Sequence, residues 1–335
     1  MKSLPLSLLL LASTFLFSCG QKPDSSPAPA NDTPKDSTDE APASSGKFVI
    51  GFSQLGAESD WRRAETQSIR DEAKARGFDL RFSDAQQKQE NQIKALRTFM
   101  QQGVNLIILA PVVETGWEPV LREIKQANIP VILVDRGVKV SDDSLYTTLI
   151  ASDFVEEGRM AAEWLARKMN GKANIVELQG TPGAAPAIDR KKGFEEVLAK
   201  YPGMKIIKSQ SGDFTRAKGK EVMEAFLKAD AKNIQAVYAH NDDMALGAIQ
   251  AIEEAGLKPG TDIVLVSIDG VRAALEAIAE GKLNCSVECT PLLGPTLFDM
   301  LDSIKNGEEV PKKMIMRDEL FDETNAKAAL PTRKY

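Results

Sequence analysis

The stretch AVYAHNDDMALGAIQAIEE, residues 236–254, decides the fold. Its apolar run, 236–239, is too short for a helix and shows no polar alternation, so it reads as a strand buried on both faces. Asn241, Asp242 and Asp243 follow it, residue types that begin helices by accepting from free backbone N–H groups. The residues from Asp243 to Glu254 then carry helical period. A doubly buried strand feeding a helix is the unit of a parallel sheet covered on both faces.

Working outward, the same rhythm recurs. Strands are expected at 48–54, 79–83, 105–110, 131–135, 174–178, 205–209, 236–239 and 263–268. Helices are expected at 61–76, 89–102, 118–126, 155–169, 190–200, 216–228, 243–254 and 272–280. One closed barrel would also satisfy this alternation. The polar-apolar stretch 138–153, containing Leu145 to Ile150, instead reads as a strand crossing between two halves, so two α/β lobes with parallel sheets are expected.

The chain has 335 residues, enough for about two domains. Its formal charge of −6 leaves no positive excess to neutralise a phosphate backbone, so nucleic acid is not an expected partner. The chain contains 1 histidine, His240, which disfavours histidine triads and catalytic zinc sites. No metal or cofactor is expected. Neither G-x-x-x-x-G-K-[ST] nor G-x-G-x-x-G follows a strand, which removes the usual nucleotide readings. Of the 3 cysteines, Cys285 and Cys289 on one strand would lie about 13 Å apart, beyond the roughly 7 Å reach of a disulfide. No disulfide is expected.

The front of the chain reads as an address. Met1 and Lys2 precede an apolar run, 6–17, that is shorter than the roughly 20 residues of a membrane-spanning helix, as in a signal peptide over 1–18. Leu16-Phe17-Ser18-Cys19 resembles a lipobox, with Cys19 as the lipidated residue that anchors the chain to a membrane. Residues 20–46 lack Val, Ile, Leu, Met and aromatics and read, after Cys19, as a disordered tether spanning roughly 30 Å. The folded body is expected to begin near Lys47.

In open parallel sheets, ligands gather beyond the carboxyl ends of strands. Those positions hold Asp135-Arg136, Asn241-Asp242-Asp243 and Asp269-Gly270. Each Asp or Asn alone is equally well read as a helix cap. Together with an arginine fork they suit a neutral polyol, whose neighbouring hydroxyls donate to carboxylates and accept from guanidinium. Trp61 and Phe214 follow the first and sixth strands and could pack on sugar C–H groups, or equally belong to a core.

At these residues the chain resembles the ribose-binding class (type I) of periplasmic sugar-binding proteins of ABC importers, and among them the galactofuranose-binding members. The resemblance is carried by SQLGAESDWRRAET (53–66), DAQQKQENQIKALRTFMQQGV (84–104), LAPVVETGWEPVL (109–121), ELQGTPGAAPAIDRKKGF (177–194), SQSGDFTRAKGKEVMEAF (209–226), YAHNDDMALGAIQAIEEAGLKPG (238–260) and SIDGV (267–271). It implies a type I periplasmic-binding-protein fold of two Rossmann-like lobes with parallel sheets and three interlobe crossings. One lobe would comprise 47–151 plus 289–317, the other 152–288 plus 318–335. It further implies sugar contacts by Trp61, Arg62, Asp135, Arg136, Arg190, Phe214, Asn241, Asp269 and Glu288. Asp60 stands where a small residue is expected, Cys289 follows the expected acid, and Arg272-Ala273-Ala274 replace a more usual loop.

The expected function is capture of a monosaccharide, a furanose such as galactofuranose, outside the cytoplasm by a monomeric lipoprotein in the periplasm or at the cell surface. Delivery would be to a membrane ABC permease. A sensor presenting its closed form to a chemoreceptor or signalling partner is the alternative. Repressors with this core carry a DNA-reading helix-turn-helix where a leader and tether stand here. A glycoside hydrolase using Asp135 with Asp269 or Glu288 is chemically conceivable, but the flanking Arg136 and Arg190 favour ionised carboxylates over a raised acid, and no catalytic residue is assigned.

Overall fold

The computed structural model describes residues 47–335; the leader, Cys19 and the tether lie outside the described residues. In chain order the first half holds β1 (Val49–Gln54), α1 (Asp60–Ala75), β2 (Asp79–Asp84), α2 (Gln89–Gln101), β3 (Leu106–Leu109), α3 (Glu118–Gln126), β4 (Val131–Val134) and β5 (Thr148–Ala151). The second holds α4 (Phe154–Lys168), β6 (Lys172–Gln179), α5 (Ala185–Leu198), β7 (Gly203–Ser211), α6 (Arg216–Asp230), β8 (Ala236–Ala239), α7 (Asp242–Glu254), β9 (Val264–Asp269), α8 (Arg272–Ala279) and β10 (Cys285–Glu288). The chain then returns through α9 (Gly294–Lys305), β11 (Lys313–Ile315), β12 (Leu320–Asp322) and α10 (Ala326–Ala329).

Two six-stranded sheets result, ordered β2-β1-β3-β4-β5-β11 and β7-β6-β8-β9-β10-β12. Each repeats the 2-1-3-4-5 winding whose order reverses beside the first strand, the place where ligands collect in such sheets. Pairing is parallel throughout except between β10 and β12. LIIL of β3 and VILV of β4 are buried at every position, as helices on both faces require. The chain passes between the sheets three times, at residues 152–153, 289–293 and 316–319.

Three strands, β10 to β12, and two helices, α9 and α10, go beyond the sequence reading. In the stretch 138–153 only β5 is a strand, and it closes the first sheet beside β4; a short turn of 3-10 helix capped by Asp142 occupies part of the remainder. The crossing itself is the pair Ser152-Asp153. Strands β11 and β12 have three residues each and lie at sheet edges, too short and too exposed to carry a periodicity. Helix α5 begins five residues earlier than expected, because Pro186 fits its first turn, so Arg190 sits within the helix and not at its start. Cys285 and Cys289 are buried and free.

Candidate functional site

Strand ends from both sheets converge on a small polar cavity lined by Glu58, Ser59, Trp61, Arg62, Asp135, Arg136, Pro186, Arg190, Phe214, Asn241, Asp269 and Cys289. Every charged or amide residue of the sequence-derived set except Glu288 is at this cavity and buried.

On the first wall, the β1–α1 loop and the end of β4 build a network around Arg62. Ser59 caps α1 by accepting from the Arg62 backbone N–H at 3.1 Å, which fixes where the arginine leaves the helix. Its guanidinium donates to Asp135 at 2.6 Å, to Glu65 at 2.5 Å and to Glu58 at 3.3 Å. Burial works against that charge, but Asp135, Glu65 and Glu58 outweigh it and hold Arg62 above the ordinary arginine range. Glu65 is pushed up to about 7, because burial opposes its charge more than Arg62 supports it. Arg136 donates to the Val112 carbonyl at 3.0 Å, and burial together with the Arg62 charge brings it down to about 10. Its Nε and Glu58 Oε2 are buried without a hydrogen-bond partner.

On the second wall, Arg190 projects from α5 and donates to Glu157 at 2.7 Å and to the His240 carbonyl at 2.6 Å. It reaches Asp269 only at 3.4 Å. Burial therefore dominates at Asp269 and pushes its carboxyl well up. Asn241 both caps α7, accepting from Met244 N–H at 3.0 Å, and donates to the Phe214 carbonyl at 3.1 Å, so one residue serves as the helix cap and lines the cavity. Phe214 has φ +60°, Asp135 φ +60° and Asp269 φ +133°. Such backbone is costly for residues with a Cβ and gathers at ligand sites. Gly180 makes room for the Phe214 ring: a Cβ there would fall 1.9 Å from Phe214 Cζ. His240 is a buried structural group; burial lowers it, and with Nδ1 accepting from Gly180 N–H its Nε2–H donates to Glu177.

Contacts cross the cleft. Trp61 packs with the core of the second lobe and donates to the Cys289 carbonyl at 2.5 Å. The Arg136 guanidinium lies 5.3 Å from the Phe214 ring centroid. At the rim, Asp60 N–H donates to Asp243 at 2.9 Å, Arg216 donates to Asp60 at 3.1 Å, and Glu114 N–H donates to the Gly183 carbonyl at 2.9 Å. The two lobes are therefore closed on the cavity.

Glu288 is the exception to the sequence-derived set. Its carboxylate accepts from Arg333 at 2.5 Å and from the Tyr335 hydroxyl at 2.9 Å, and it borders a different depression. The hydrolase alternative that paired it with Asp135 loses that partner. The sequence reading also passed over Glu58, Ser59 and Pro186. Glu58 was detectable as an acid four residues before Arg62 in the loop after β1, and Ser59 as the cap one residue before the helix.

A two-lobed parallel α/β chain closed over a small polar cavity is a binding protein of the type I periplasmic architecture. The periplasmic binding protein domain matches residues 50–309, and the chain belongs to that family. It is 54% identical over 291 residues to the galactofuranose-binding protein YtfQ of Escherichia coli, covering 86% of this chain and 92% of that one. The binding component of the arabinose ABC transporter from Shewanella sp. ANA-3, solved with alpha- and beta-L-arabinofuranose, is 55% identical with a TM-score of 0.83, covering 85% of this chain and 95% of that one. A Mycobacterium smegmatis protein solved with beta-D-fucofuranose is 53% identical with a TM-score of 0.84, covering 86% and 95%.

Proposed function

We propose that the chain captures a single monosaccharide in its furanose form, galactofuranose or a close relative, outside the cytoplasm and delivers it to a membrane ABC permease. The observation that carries this reading is the small polar cavity walled by three arginines, two aspartates, an asparagine and two aromatics drawn from both lobes. Hydroxyls of one sugar ring would be held in pairs by these groups, with Trp61 and Phe214 against its C–H faces. The similar proteins named for or solved with furanoses point to the same ring form.

In this reading Trp61, Arg62, Asp135, Arg136, Arg190, Phe214, Asn241 and Asp269 contact the sugar, with Glu58 added from the geometry because its Oε2 is a buried acceptor without a partner. The lobes are 47–151 with 289–317, and 152–288 with 318–335, hinged at the three crossings. An analogue lacking one hydroxyl would leave a buried group unpaired at roughly 1–3 kcal/mol, which is the source of selectivity. Lipidation at Cys19 would keep a monomeric body near its permease. Loss of membrane association in Cys19→Ala tests that part, and unchanged association overturns it.

The sugar assignment is tested by mass spectrometry of ligand retained on the purified protein, then calorimetry with galactofuranose, L-arabinose, galactose and ribose. Preference for galactofuranose or L-arabinose is expected. Binding of none of the four, or of ribose alone, overturns the furanose reading. Scattering with and without the bound sugar should show a smaller radius of gyration when it is bound.

A further inference from the structure

Glu288 and Arg272, both singled out in the sequence, have no place in the cavity, and the structure joins them through Arg333 and Tyr335. The Arg333 guanidinium donates to Glu288 at 2.5 Å and to the Tyr335 hydroxyl at 2.6 Å, while that hydroxyl donates to Glu288 at 2.9 Å. The same guanidinium lies 4.4 Å from the Phe321 ring centroid and 4.8 Å from that of Tyr335. Its side chain is only 8% exposed. Arg272 N–H donates to the Tyr335 carbonyl at 2.6 Å, and its side chain donates to the Leu330 carbonyl at 2.9 Å.

The contacts of this knot give it a role. Glu288 is paired in register with Asp269 across β10 and β9, and Cys289 N–H donates to the Asp269 carbonyl at 3.2 Å. Arg333 also packs on Gly270, the residue after Asp269: a Cβ there would meet its Nη2 at 3.2 Å. The knot thus holds the ends of β9 and β10, where Asp269, the last residue of β9, and Cys289, the residue after β10, line the cavity. Asp269 holds a φ of +133°, which persists only where surroundings enforce it.

We propose that Arg333 and Tyr335 are positioning residues for the Asp269 wall of the cavity, acting through Glu288 and Gly270 without touching the ligand. The affinity part rests on the sugar-binding reading; the positioning part does not. Arg333→Ala, Arg333→Lys and Tyr335→Phe are compared with the unaltered chain by hydrogen exchange in the absence of sugar and by calorimetry with L-arabinose. In Arg333→Ala, exchange at residues 270–272 and 288–289 should rise at least tenfold while β8 of the same lobe stays protected. Tyr335→Phe, which keeps the ring, should give a smaller rise at the same amides, and Arg333→Lys should recover part of the protection. L-arabinose affinity should fall about tenfold in Arg333→Ala. Unchanged exchange at 270–272 in both Arg333→Ala and Tyr335→Phe overturns the proposal, as does a rise spread evenly over β8, which marks a purely structural residue. If the unaltered chain binds no sugar, the furanose reading fails and the exchange pattern still decides this one.

Discussion

Arg62 and Arg190 face each other across the cavity, both buried, and they are held differently. Arg62 has three carboxylates at 2.5–3.3 Å and shares two of them, Glu58 and Asp135, with the cavity. Arg190 has one close carboxylate, Glu157, a backbone carbonyl, and Asp269 only at 3.4 Å. The first wall is therefore assembled by its own ion pairs, whereas the second holds a cavity-facing acid whose charge burial opposes and which Arg190 supports only from 3.4 Å. On the proposed reading, ligand hydroxyls donating to Asp269 would add the missing support, which would make the first wall the template and the second the ligand-dependent side of closure.

The largest effects test that asymmetry directly. Arg62→Ala leaves Asp135, Glu65 and Glu58 buried together without their cation, and should cost about 3–5 kcal/mol of folding stability as well as ligand affinity. Asp269→Asn removes a charge that is already disfavoured, so it should weaken L-arabinose binding by about 2–5 kcal/mol while leaving sugar-free stability unchanged or raised. Arg136→Ala should resemble Asp269→Asn, since burial and the Arg62 charge both oppose its cation. Urea unfolding and calorimetry on the three variants decide it, and equal destabilisation by all three would erase the distinction between the walls.

Next in size is Gly180→Ala. The added methyl would lie 1.9 Å from Phe214 Cζ, so the ring must move, and with it the contact to Arg136 across the cleft. Overpacking of this kind costs about 1–3 kcal/mol, read here mainly as lost sugar affinity, with the Arg62 wall undisturbed. Unchanged affinity would mean Phe214 does not meet the ligand.

Acidity separates the regions further. Burial pushes Glu65 on the first wall up to about 7, Asp242 behind the second up to about 6, and Asp318 at the third crossing up to about 8, the last also raised by Glu157. Unfolded carboxyls titrate near 4, so between about pH 4 and 8 the folded state binds more protons than the unfolded one. The stability these groups contribute is therefore full below pH 4 and is lost as pH rises through their folded values. Asp318→Asn should flatten the upper part of that fall, between about pH 6 and 8, and Glu65→Gln the part below about pH 7. Melting temperatures at pH 5, 6, 7 and 8 measure both. A parallel fall in Asp318→Asn and the unaltered chain would remove Asp318 from the account.

The strands that placed these groups were legible because parallel sheets bury both strand faces, which leaves continuous runs such as VILV and LIIL in the sequence. The cavity-lining Asp135, Arg136, Asn241 and Asp269 were legible for the same reason: residues at or just after the end of a buried run lie at the carboxyl end of its sheet. Edge strands β11 and β12 left no such trace, since three-residue edges have no period, while the return helix α9 was passed over although its buried Leu297, Phe298 and Leu301 recur at helical spacing. Glu288 was misjudged because its position beside Asp269 in register was readable while the arrival of Arg333 and Tyr335 from the far end of the chain was not. Glu65 and Glu157, which neutralise the arginines, were invisible as site residues because each follows ordinary helical spacing and looks like a solvated face.

The smallest expected effect lies at the rim, at the Asp60 that the sequence marked as a departure. Its side chain is 42% exposed, that of Arg216 39%, and the pair joins the lobes at 3.1 Å. Exposed pairs contribute about 0.2–1 kcal/mol, so Asp60→Ala should open the sugar-free protein slightly and speed L-arabinose dissociation by no more than about fivefold. The Asp60 N–H bond to Asp243 survives the substitution, and Arg216 keeps Asp243 as a partner at 3.1 Å, which bounds the loss from above. Because screening shortens the reach of exposed charges to about 3 Å at 1 M salt, the difference between Asp60→Ala and the unaltered chain should fade as salt is raised. Stopped-flow dissociation at low and high salt reads this. An effect that exceeds tenfold and ignores salt would place Asp60 in the cavity and not at its rim, and would make the first wall, too, dependent on its ligand.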